Sequence, residues 1–136
     1  MLSLRASVMT RHPLVLLVPG DRLTGLLTKS GLEGYGYDVL TTSSVEDALD
    51  LLRTNARINV LVVDVKLENT SAGLALAKAA RMADPRVSIV YTCDIPHRLP
   101  EREKVRGAPC LRTPYHPHQL VGVIAQISNQ NEAHAA

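Results

Sequence analysis

Five times along this chain a short apolar run bounded by turn residues gives way to a stretch of helical periodicity, and this alternation restricts the fold more than any other feature. Leu14-Val15-Leu16-Leu17-Val18 is continuously apolar and is stopped by Pro19-Gly20, as expected of a parallel strand covered on both faces. Leu23, Leu26 and Leu27 recur at helical spacing and predict a helix that ends around Gly31 and Gly34. Residues 37–41 read as an outer strand with partial alternation. Ser43 with Glu46 has the form of a capping box, and Val45, Ala48, Leu49 and Leu52 share one face of the helix behind it. Residues 58–63 are the most concentrated β-branched run and end in Asp64, which predicts the central strand. A helix over 73–83 stops before Asp84-Pro85, and a fourth strand over 87–91 leads into Thr92-Cys93-Asp94. A short polar helix is expected over 101–105 and a fifth strand at Cys110-Leu111-Arg112. Leu120, Val123, Ile124 and Ile127 define a final amphipathic helix.

Strands alternating with helices predict an α/β fold: a three-layer, doubly wound, five-stranded parallel sheet, because right-handed crossovers put helices on both faces. In the flavodoxin-like strand order 2-1-3-4-5, the loops leaving strands one and three form the ligand crevice, and Asp21 and Asp64 face it. At 136 residues one domain is expected, over 13–128, with a leader at 1–12 and a polar tail at 129–136. With four tyrosines, no phenylalanine and no tryptophan, its core must be aliphatic. A net charge of +2 gives no signature for nucleic acid or an anionic membrane, and no apolar run approaches the roughly 20 residues of a membrane span. Cys93 and Cys110 fit neither a disulfide framework nor a zinc spacing. Free thiols in a reducing cytoplasm are the expectation, with a redox pair as the other reading.

A carboxylate ending a buried apolar strand is costly to desolvate and needs a reason. Asp64 either caps the following loop or presents its oxygens at the crevice floor as a nucleophile or metal ligand. The segment Leu61-Val62-Val63-Asp64-Val65-Lys66-Leu67 resembles the phosphoacceptor strand of response-regulator receiver domains, and the resemblance runs from about Leu14 to Ile127. It implies that Asp64 takes a phosphoryl group from a histidine kinase or phosphotransfer protein and that Thr92 hydrogen-bonds that group. It also implies Mg²⁺, held by an acidic pair after strand one, by Asp64 and by the backbone carbonyl of Lys66. Such a module signals through altered protein binding; it is not an enzyme. The resemblance is to a single-domain member of the two-component family.

Three departures fall at the chemistry. Pro19 and Gly20 occupy the acidic-pair positions, leaving Asp21 one residue later, so the Mg²⁺ site is expected to be weak or absent. Thr113 stands where the family has a lysine, and Arg112 beside it points to the opposite strand face. Cys110 holds the switch position, usually tyrosine or phenylalanine, and a small side chain cannot sweep an aromatic ring's volume. Two readings therefore stand: a phosphorelay receiver acting through Asp64, and a pseudo-receiver that binds partners without phosphorylation.

Two features carry bland readings alongside functional ones. His116 and His118, with His97, suggest a metal site, but exposed histidines at a helix start are ordinary. The stretch 101–104 is most simply a solvated face. By resemblance, Arg102, Lys104, Arg106 and Arg112 lie on the surface formed by the fifth strand and last helix, where receivers dimerise or bind outputs.

Overall fold

In the computed structural model, which describes residues 12–55, 57–66, 70–95 and 100–135, the apolar runs form five strands. They are β1 (Leu14–Val18), β2 (Asp38–Thr41), β3 (Ile58–Asp64), β4 (Ser88–Cys93) and β5 (Cys110–Arg112). All pair in parallel, in the order β2-β1-β3-β4-β5, the expected doubly wound sheet. The connecting helices are α1 (Arg22–Gly34), α2 (Val45–Thr54), α3 (Thr70–Ala83) and α4 (Pro117–Ala135).

Strand alternation divides the aliphatic side chains into two cores. Leu16, Leu61, Val63, Ile89 and Tyr91 meet Ala48 of α2 and Leu74, Leu76 and Ala77 of α3. On the opposite face Val15, Leu17, Val60, Val62 and Val90 meet Leu32 of α1 and Leu120 and Ile124 of α4. Burial on both faces is why β1 reads as a continuous apolar run and β3 and β4 as nearly continuous ones.

Several boundaries differ from expectation. The cap of α2 is Ser44, whose hydroxyl accepts the Asp47 N–H at 3.0 Å, so the Ser43–Glu46 box is not the one used. Adjacent serines make that register ambiguous in sequence. In place of a helix over 101–105 there is a single 3-10 turn, Glu101–Glu103, too polar to bury a face. Helix α4 continues to Ala135, into the segment expected as a tail. The leader at 1–11 and His97 lie outside the described residues.

Helix α1 departs most. It runs through Gly31, where glycine is needed for packing and not as a stop: a Cβ there would lie 2.3 Å from Pro117 Cβ of α4. The chain instead turns at Gly36, whose φ of 93° is left-handed and costs glycine little. The buried face of α1 is Gly25, Thr28 and Leu32, whereas Leu23, Leu26 and Leu27 are 67%, 57% and 61% exposed. Periodicity finds a stripe but does not say which side the core takes. Here Pro19 presses on Gly25, where a Cβ would lie 2.7 Å from Pro19 Cγ, and Tyr115 hydrogen-bonds Thr28, so the small face turns inward. Leu26→Glu is accordingly expected to change unfolding free energy by less than about 0.5 kcal/mol in a urea titration. Among the described residues no helix is long and apolar enough to cross a membrane.

Candidate functional site

The crevice lies where the strand order reverses, between β1 and β3, at the carboxyl ends of the strands. Asp64 is the last residue of β3 and sits opposite Thr92 in the parallel ladder, which brings their side chains together. Thr92 Oγ1 donates to Asp64 Oδ2 at 3.0 Å, and the Lys66 N–H donates to Asp64 Oδ1 at 2.8 Å. Both carboxylate oxygens therefore have a protein donor, which offsets the cost of burying the group at 9% exposure.

Above this carboxylate lies Gly20. A Cβ there would stand 2.8 Å from Asp64 Cγ and 3.0 Å and 3.1 Å from its two oxygens. A side chain at Gly20 would thus meet the Asp64 carboxylate unless one of the two shifted. Asp21, expected as a metal ligand, is instead the cap of α1. Its Oδ1 accepts the Thr24 N–H at 2.8 Å and its Oδ2 accepts the Thr24 hydroxyl at 2.7 Å. Those bonds to Thr24, the backbone one foremost, lower its pKa. A carboxyl whose folded pKa is lowered stabilises the fold above the ordinary carboxylate range, and the contribution disappears as pH falls below it. Asp21→Ala is expected to cost about 1 kcal/mol or less at neutral pH, since the cap is exposed. The difference from wild type should vanish in acid, measured by urea unfolding across pH.

The described residues offer a divalent cation few ligands. Magnesium takes oxygen ligands in near-octahedral array, usually with one or two carboxylates. Among the described residues, Asp64 offers its carboxylate oxygens at the end of β3, and the carbonyl of Lys66 would be a companion ligand. Among the described residues no three His, Cys, Asp or Glu side chains converge. His116 and His118 stack on one another with ring centroids 5.5 Å apart.

Thr113 follows β5, and its N–H donates to the Cys93 carbonyl at 2.9 Å. It brings no cation. The ammonium that does flank the crevice belongs to Lys66, and it is hydrogen-bonded to Asp94. That bond raises the Lys66 pKa and lowers that of Asp94, keeping both charged. Sequence reasoning missed this pair, although a signal existed: each residue lies two beyond the registered Asp64–Thr92 pair.

At the switch position Cys110 is half-buried, directly opposite Tyr91 of β4. The ring that β5 lacks is thus on β4, fully buried, where its Oη accepts the Val105 N–H at 2.9 Å. Tyr115 on the other side hydrogen-bonds Thr28 Oγ1 at 2.9 Å. Of the expected partner residues Arg102, Arg106 and Arg112 are exposed; Lys104 is half-buried and pairs with Glu101 at 3.4 Å.

A five-stranded sheet of this order, with an aspartate ending β3 hydrogen-bonded to a threonine of β4, defines the response-regulator receiver fold. Solved structures of that class resemble the chain. A response regulator receiver protein from Sinorhizobium medicae WSM419 matches with a TM-score of 0.80 and 25% identity, over 89% of this chain and 98% of that one. A CheY-like receiver domain from Methanospirillum hungatei JF-1 gives 0.78 and 21%, over 90% and 98%. The chemotaxis protein CheY4 of Vibrio cholerae gives 0.73 and 22%, over 85% and 98%. No family model and no curated protein matches the sequence.

Proposed function

We propose that this chain is a receiver-fold interaction module that works without an aspartyl phosphate and docks a partner on the outward face of α1. The observation that carries the reading is the Pro19-Gly20 turn lying over the Asp64 carboxylate, within 2.8 Å of Cγ measured from a Cβ on Gly20. Phosphoryl transfer to a carboxylate brings two anions together and needs metal ions or fixed positive charge beside them. Among the described residues Asp64 has no second carboxylate to help hold a metal, Thr113 has no ammonium, and that of Lys66 is engaged by Asp94. In this reading Asp64 is a structural carboxylate, joining the end of β3 to β4 through Thr92 and to its own loop through Lys66.

The outward leucines supply the docking face. Three large apolar side chains at i, i+3 and i+4 on one exposed helix face are more than scattered surface residues. Of the three, Leu26 lines a groove of about 600 Å³, together with Pro19, Asp21, Arg22 and Lys29. An amphipathic helix with an acidic flank fits that chemistry, its apolar side on the leucines and its carboxylates toward Arg22 and Lys29. Leu26→Glu, silent for stability, should abolish capture of such a partner.

The hydrogen bond from Thr92 to Asp64 favours a second reading, a phosphoryl acceptor served by a histidine kinase or phosphotransfer protein. Titrating isotope-labelled protein with Mg²⁺ and beryllium fluoride, which mimics an aspartyl phosphate, separates the two. The amide signals of Asp64, Thr92 and Thr113 should stay in place. A saturable shift at all three would overturn the first reading in favour of the second.

A further inference from the structure

Cys93 ends β4 and Cys110 begins β5, and the ladder sets Tyr91 opposite Cys110 and Cys93 opposite Arg112. The two cysteines therefore lie diagonally across adjacent strands on the same sheet face, within the core layer covered by α2 and α3. Both thiols are free, and their sulfurs are 2.7 Å apart. Cys93 is buried at 2% exposure, whereas Cys110 is half-buried, so a reagent from solvent meets Cys110 first. We infer that Cys93 and Cys110 form a reversible dithiol–disulfide site, oxidised by a low-molecular-weight disulfide, that clips β5 to β4 beside Thr92.

In the first step Cys110 Sγ, as thiolate, bonds to one sulfur of the oxidant. The oxidant's own S–S bond breaks, and one thiol leaves with the proton that Cys110 gave up. Cys93 Sγ then attacks Cys110 Sγ in the mixed disulfide, and the second thiol leaves with the Cys93 proton. The pair has lost two electrons and two protons, and the oxidant has become two thiols. Burial pushes the Cys110 thiol up to about 12 and raises Cys93 as well, so the first step is slow. The second joins groups already in contact and does not share that limit. The clip has a direct route to the crevice, because the Cys93 carbonyl accepts the Thr113 N–H and Cys93 follows Thr92.

The test incubates the full chain overnight with oxidised glutathione in mildly alkaline buffer, then adds a thiol-alkylating agent and measures intact mass. The expected product has lost two hydrogens, takes no alkyl group, and yields a peptide linking Cys93 to Cys110. Its thermal midpoint should rise by about 5–10 °C, reversed by a dithiol reductant. Cys93→Ser should stop at the glutathione adduct on Cys110 and gain no thermal stability; Cys93→Ala is the alternative if serine fails to fold. Two alkylatable thiols after oxidation, a stable glutathione adduct on the wild type, or a disulfide between two chains would each overturn the inference.

Discussion

Gly20→Asp, which restores an acidic residue where receivers carry one, is expected to destabilise this protein by about 3–5 kcal/mol at neutral pH in Mg²⁺-free buffer. The added Cβ has 2.8 Å to Asp64 Cγ, so either the Gly20 segment or the Asp64 side chain must shift, and a shifted Asp64 strains its bonds to Thr92 and Lys66. The new carboxylate then faces a buried one whose donors are already Thr92 and Lys66. Gly20→Ala isolates the steric part and should lose about 1–3 kcal/mol. The remainder is like-charge repulsion, so the gap between the two variants should close as acid protonates the pair. Urea titrations of both variants across pH measure it. A Gly20→Asp protein as stable as wild type would mean that the crevice is open.

Leu61→Ala carries the second large effect, about 2–5 kcal/mol of lost stability. Leu61 is fully buried in β3, opposite Leu16 of β1 and Ile89 of β4, and it packs in the core that α2 and α3 cover. Without phenylalanine or tryptophan to bridge a gap, the neighbouring aliphatic side chains must collapse into the space or leave a cavity. Domains of this size are stable by only about 5–15 kcal/mol, so the variant should begin to unfold at a clearly lower urea concentration. A loss below about 1 kcal/mol would show that the core relaxes freely around β3.

How much of this was legible in the sequence depends on whether local pattern or tertiary contact decides. The strands were, because a run such as 60–63 is apolar at every position only when both faces are covered. Asp64 and Thr92 were legible as strand ends, and their meeting followed once the parallel register was set. The inward face of α1 was not: its leucine stripe is the stronger periodic signal, and it lost to close contacts from Pro19, Tyr115 and Pro117, all outside the helix. The role of Asp21 was hidden for a similar reason. An acid after strand one serves equally as ligand or cap, and Thr24 three residues on decides for the cap. Gly20 could be seen as a missing carboxylate, but the closeness of its backbone to Asp64 is a property of the folded loop. The Lys66–Asp94 pair needed the register as well as the residues.

If Asp64 is a structural carboxylate, as proposed, it takes no phosphoryl group. Intact mass after incubation with a small acyl phosphate and Mg²⁺, for wild type and Asp64→Asn side by side, tests it most directly. Neither protein should gain a phosphoryl adduct while circular dichroism reports both folded. A single adduct on the wild type that is absent from Asp64→Asn would contradict the account.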